Sequence, residues 1–174
     1  APDLFFIAGW SWYVRPEVFN KYNIIGLHPS MLPKYRGGSP LQNQIIAGEK
    51  NGGVSLFKLT EHFDEGPLYG QDEISLEGHL DEILSRITNA GLKLFRQVIA
   101  QYPKIESYEQ DHTKATFYKR RKPEQSELKP EEIKKMTREQ LYNFIRALED
   151  PYPNAFIRCT DGKKLLIKRA ELGE

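Results

Sequence analysis

Cysteine is nearly missing from this 174-residue chain: the single Cys159 excludes an internal disulfide and any zinc site built from cysteine pairs. Net charge is missing too. Twenty-five basic residues stand against 24 acidic ones, giving +1, so the overall balance argues neither for nor against a nucleic-acid partner and only local clusters are informative. No apolar run approaches the roughly 18 residues of a membrane-spanning helix, and no secretory leader is legible. Internal repeats and low-complexity stretches are absent from the sequence as well. These absences leave a soluble cytoplasmic protein as the expectation, with a length that suits one to two domains.

The patterns that are present read as alternating strands and helices. Leu4-Phe5-Phe6-Ile7-Ala8-Gly9-Trp10 is a continuous apolar run, the signature of a parallel-sheet strand buried on both faces. A central strand so early in the chain leaves one neighbour unaccounted for, so an N-terminal portion is expected to be missing. Pro16 to Tyr22 predicts a short helix, with Pro16 in its first turn. Asn23 to Leu27 is a second apolar strand, and Pro40 to Gly48 a helix closed by its glycine. Val54 to Leu59 alternates with period two and Leu68 to Leu76 contains a further strand. Leu80, Ile83, Leu84, Ile87, Leu94, Phe95 and Val98 recur at helical spacing, predicting a helix over His79 to Ala100 with one apolar stripe. The fold class is therefore α/β. The expected divisions are a catalytic-type domain over 1–110, a linker over 111–136 and a third segment over 137–174. That third segment has the capping-box pattern Thr137-Arg138-Glu139-Gln140 before a helix, then a hairpin turning at Asp161-Gly162, the start of a small β-rich module.

Chemistry concentrates in Gly26-Leu27-His28-Pro29-Ser30-Met31-Leu32-Pro33-Lys34-Tyr35-Arg36-Gly37 and, later, in Phe63-Asp64-Glu65-Gly66. A histidine at a strand end on a proline-stiffened loop, with a carboxylate on a second strand-to-loop junction, suits an acid/base pair that moves a proton on and off an amine. In that reading Asp64 favours the imidazolium and fixes the ring. The plainer alternatives are a histidine bonded to loop backbone and an ordinary turn aspartate. Lys34 and Arg36 either meet an acceptor phosphate or form a solvated loop edge. Ser30 is expected chiefly to brace its own loop. Trp10 and Trp12 are expected to pack in the core or on the sheet more readily than to face a ligand. His62, His79 and His112 have no metal-ligand spacing and are expected at the surface, so no metal is expected. Lys119-Arg120-Arg121-Lys122 either touches RNA phosphates or is simply solvated, and Cys159 is expected to pack in a strand.

These segments, with Gly53-Val54-Ser55-Leu56, Phe117 to Pro123 and Ile145 to Phe156, resemble the 10-formyltetrahydrofolate-dependent formyltransferase family over nearly the whole chain. The resemblance implies a Rossmann-like sheet with flanking helices and further elements on the N-terminal side. It implies 10-formyltetrahydrofolate as formyl donor and a primary amine as acceptor. His28 and Asp64 would be catalytic; Gly9, Trp10, His62, Phe63 and Glu65 would flank the folate; Ser30, Lys34 and Arg36 would lie on the acceptor side. Asp150-Pro151-Tyr152-Pro153-Asn154-Ala155-Phe156 is most similar to the sugar-nucleotide branch, which favours a nucleotide-linked amino sugar over an aminoacyl-tRNA. No membrane partner is implied, and a homodimer is compatible. One position departs from the family. An asparagine that stabilises the developing oxyanion normally stands two residues before the histidine, and here that residue is Gly26. Loss of one such donor costs ~10²–10³ in rate. Gln42 or Asn43 are the candidate replacements, and a non-catalytic folate- or nucleotide-binding module or a formyl-folate hydrolase are the rival readings.

Overall fold

The computed structural model describes residues 2–10 and 12–173. Strand β1 (Leu4–Ala8) and strand β2 (Asn23–His28) pair in parallel, with Phe5 opposite Ile24 and Ala8 opposite Leu27. Parallel neighbours need a crossover of about a dozen residues, and the segment between them, containing helix α1 (Pro16–Phe19), provides it. Strand β3 (Arg36–Gly37) and helix α2 (Pro40–Ile46) follow, then strands β4 (Asn51–Lys58) and β5 (Leu68–Ser75). The main sheet runs β1-β2-β4-β5, with β4 antiparallel to both its neighbours. Helix α3 (Leu80–Gln101) lies along it and buries Leu80, Ile83, Ile87, Ala90, Leu94 and Val98 in one core with Ile25, Val54 and Leu56. Each large aliphatic side chain so buried contributes about 1.5–3 kcal/mol, so this stripe fixes the sheet that carries the site.

Two strands differ from their sequence reading. β1 is not buried on both faces: Phe5 and Ala8 are exposed, and among the described residues it is the sheet's edge. β4 is more buried than an alternating pattern implies, since Gly52 through Phe57 are all inside. Ser55 is tolerated there because its hydroxyl donates to the Ser30 carbonyl at 2.7 Å and accepts from Leu32 N–H and the Gln71 amide. A buried hydroxyl with all its partners carries little penalty.

The C-terminal half contains strand β6 (Phe117–Tyr118), helices α4 (Pro130–Ile133) and α5 (Arg138–Arg146), and the hairpin of β7 (Ala155–Arg158) and β8 (Lys164–Ile167). The capping box is formed: Gln140 N–H donates to Thr137 Oγ1 and Thr137 N–H to Gln140 Oε1. Leu128, Phe144, Ile145, Leu148 and Ala155 make a second core. Residues 111–136 are no loose tether. β6 pairs in parallel with β3, and Leu128 N–H donates to the Phe156 carbonyl at 2.7 Å. Of the four cations at 119–122, Arg121 is not simply solvated. Its backbone N–H donates to Ser39 Oγ, its guanidinium lies over the Phe144 ring, and burial lowers its pKa.

His79, expected at the surface, is buried. Its Nδ1 lies 2.7 Å from Glu149 Oε1 and its Nε2 3.2 Å from Glu171 Oε1, so carboxylates from the C-terminal half hold both ring nitrogens. Glu149 Oε2 also accepts Leu80 N–H, the first donor of α3. Arg146 donates to the Leu76 and Gly78 carbonyls just upstream. Cys159, expected to pack, is exposed at the hairpin turn. Among the described residues no helix is long and apolar enough to cross a membrane.

Candidate active site

β2 delivers His28 to the end of the sheet where the parallel strands terminate, the edge at which open α/β sheets bind ligands. The ring is buried, and its Nε2 lies 2.8 Å from the Tyr35 carbonyl. A carbonyl only accepts, so Nε2 carries the hydrogen and Nδ1 is left with its lone pair free. Asp64 Oδ2 stands 3.6 Å from that Nδ1, too far for a direct hydrogen bond but facing it directly. The same oxygen accepts Gly37 N–H at 2.8 Å. The Tyr35 carbonyl therefore holds the ring by Nε2, while Asp64 faces the other ring nitrogen.

Around this pair the predicted residues divide sharply. The register Ala8–Leu27 brings Gly9 level with His28, and Gly9 is exposed with open space where a side chain would project. Trp10 is 60% and Trp12 78% exposed, so neither packs in the core as expected; both present free indole faces. Phe63 is also exposed, its ring 5.6 Å from Tyr13, and His62 lies in the same exposed loop. Glu65, expected beside the folate, turns its carboxylate instead to Arg36 Nη1 at 3.4 Å and toward His112. Arg36 cannot reach an acceptor phosphate. It is 3% exposed and committed to Gln110 Oε1 at 3.2 and 2.7 Å. Ser30 is fully buried, donating to the Lys34 carbonyl at 2.6 Å, which makes it a brace and removes it from any acceptor surface. Lys34 is exposed.

Sequence reasoning missed Tyr35, Gln110 and Phe57. Tyr35 and Gln110 act through partners seven and 74 positions away in sequence, beyond any local pattern. Phe57 matters because of Gly26. The two are cross-strand partners, and a Cβ on Gly26 would stand 2.8 Å from both Phe57 Cε1 and Leu59 Cδ1. The place where the resemblance puts an asparagine is thus filled by an aromatic ring, set edge-on to His28 with centroids 6.4 Å apart. Asn43, a candidate replacement, donates its amide to the Gly38 carbonyl, while Gln42 is buried in the first half of α2. Gly26→Asn is accordingly expected to destabilise the fold by about 1–3 kcal/mol through overpacking, and to bring no rise in turnover. Thermal melts and initial rates check this; a faster enzyme of unchanged stability would show the space to be free.

Comparison with known proteins agrees with this architecture. A family model described as formyl transferase matches residues 1–102. The methionyl-tRNA formyltransferase of Pseudothermotoga lettingae is 37% identical over 123 residues, which cover 67% of this chain and 40% of that protein. The chain spans about half the length of the curated relatives it matches. Among solved structures, a methionyl-tRNA formyltransferase from Clostridium thermocellum superimposes with a TM-score of 0.85 at 32% identity, covering 99% of this chain and 73% of that one. A sugar N-formyltransferase from a Shewanella species reaches 0.82 at 22% identity, covering 99% and 71%, a likeness of fold alone.

Proposed function

Because this chain belongs to the formyl transferase family, we propose that it moves a formyl group from 10-formyltetrahydrofolate to a primary amine, with His28 as proton carrier. The carrying observation is the division of labour on one imidazole: Nε2 tied to the Tyr35 carbonyl, Nδ1 left facing Asp64. As the amine attacks the formyl carbon it must shed a proton, and Nδ1 accepts it. The Asp64 carboxylate, held by Gly37 N–H, stabilises the imidazolium so formed. The proton then passes to the departing folate nitrogen, returning His28 to its starting form. The open ground at Gly9, followed by the exposed Trp10, and the exposed Phe63 ring next to Asp64 in sequence suit the flat pterin of the donor.

For the acceptor, the element that favoured an amino sugar has another explanation. Ala155 and Phe156 are buried structural residues, and the Asn154 amide donates to the Leu148 carbonyl. Lys119, Arg120 and Lys122 are exposed, and the Arg120 backbone lies against Gly38, on the loop that carries the His28 anchor. Cations so placed suit a phosphate backbone, and the relative with 32% identity and a shared fold is named for methionyl-tRNA. We therefore infer a tRNA-borne amine as the acceptor. Offering the intact gene product formyl donor with methionyl-tRNA and, separately, with nucleotide-linked amino sugars should give a formyl mass gain on the aminoacyl-tRNA only. That gain should fall steeply as salt rises. Formylation of the sugar alone would overturn the acceptor, and formate release without any amine would overturn the transfer.

A further inference from the structure

We propose that residues 116–118 are a positioning element for the active site: Thr116 and Tyr118, from the segment that leads away from the sheet, hold Tyr35 in a left-handed conformation and thereby fix the tautomer of His28. This rests on the reading of His28 as proton carrier. Tyr35 has φ of +59°, a left-handed conformation that a non-glycine residue keeps only where its surroundings enforce it. The enforcement is visible on every side of the residue. Tyr35 N–H donates to Thr116 Oγ1 at 2.8 Å. The next amide, Arg36 N–H, donates to the Thr116 carbonyl at 2.9 Å. Its ring stacks on Tyr118, centroids 5.0 Å apart and planes 11° from parallel. Its hydroxyl donates to Glu49 Oε1 at 2.9 Å, and burial together with that carboxylate pushes the phenol well above its usual range, so it stays a donor.

The consequence runs directly to the chemistry. In this conformation the Tyr35 carbonyl meets His28 Nε2. Two residues on, Gly37 N–H meets Asp64, and Gly38 N–H is tied to the Tyr118 carbonyl at 2.8 Å. Gly37 has φ of +88°, and a Cβ there would stand 2.4 Å from the Tyr118 carbonyl oxygen, so the ladder between β3 and β6 closes only on a glycine. Both members of the acid/base pair are thus anchored on residues 35–37, and residues 35–38 are sewn to 116–118. Neither Thr116 nor Tyr118 makes a hydrogen bond to His28 or Asp64 among the described residues; they act through the loop.

The test is the double variant Thr116→Val/Tyr118→Ala in the intact protein, against Thr116→Ser/Tyr118→Phe, which keeps the hydroxyl and the stacking face. In the first, kcat should fall about tenfold or more, the scale on which misplaced catalytic groups lose rate, with KM for the formyl donor changed less than twofold. Nitrogen-15 imidazole shifts of His28 should move from an Nε2–H form toward a mixture. The second variant should restore both. If the double variant does not fold, Tyr118→Ala alone is read in the same way with a smaller loss. An unchanged kcat and an unchanged tautomer would overturn the proposal, as would a loss of kcat with the tautomer intact. The imidazole shifts need no turnover, so a protein without formyl transfer would refute the functional reading and still decide this one.

Discussion

Replacing His28 with alanine should lower formyl transfer by ~10²–10⁴, the range that a positioned general acid/base contributes, while leaving the fold in place. The structural loss is small. His28 gives up one hydrogen bond to the Tyr35 carbonyl, worth about 0.5–1.5 kcal/mol, and its edge contact with Phe57. The chemical loss is large because the described residues place no other titratable side chain within salt-bridge distance of Asp64 Oδ2. Donor affinity should persist, since the open ground at Gly9 and the exposed Trp10 stay as they are. Single-turnover transfer and calorimetric titration with the formyl donor separate these effects. A His28→Ala variant that retained near-normal transfer would remove the imidazole from the mechanism.

The second large effect is on stability. Glu149→Ala should destabilise the protein by about 2–3 kcal/mol, the upper part of the range for losing hydrogen bonds to a charged, buried group. The carboxylate is buried and holds two donors at once, His79 Nδ1 at 2.7 Å and Leu80 N–H at 3.0 Å. Its loss strands a buried imidazole and uncaps the start of α3, where negative charge also complements the helix dipole. Glu171, the partner on the other ring nitrogen, is largely exposed and cannot replace it. Denaturant unfolding followed by circular dichroism reads this directly. A shift below about 1 kcal/mol, the scale of an exposed ion pair, would mean that the pair is solvated in solution. Transfer activity, by contrast, should change only in parallel with the folded fraction, because Glu149 touches neither His28 nor Asp64 among the described contacts.

What the sequence made legible was local. The stripe from Leu80 to Val98, the capping box at Thr137 and the Asp161-Gly162 turn each encode their geometry within a few residues, and each element formed where expected. The His28 and Asp64 motifs were legible too, because unusual residue types stand together there. What escaped was every property set by a distant partner. The sequence shows Arg36 as a loop cation, whereas Gln110, 74 positions away, draws it inside. Glu149 does the same to His79 from 70 positions away. Ser55 breaks no pattern as a polar residue in an alternating strand, yet its hydroxyl is buried because the Ser30 carbonyl and the Gln71 amide converge on it. Trp10 and Trp12 erred in the other direction. Large aromatic side chains usually seek the core, and here they stand exposed.

The lone thiol, standing exposed where β7 enters its turn toward β8, makes the molecule easy to tag. A maleimide dye would attach at one place only, on an element that contributes nothing to the ground around His28. Pairing it with the exposed native indoles of Trp10 and Trp12 would turn the protein into its own ruler for any movement of the hairpin when donor or acceptor binds.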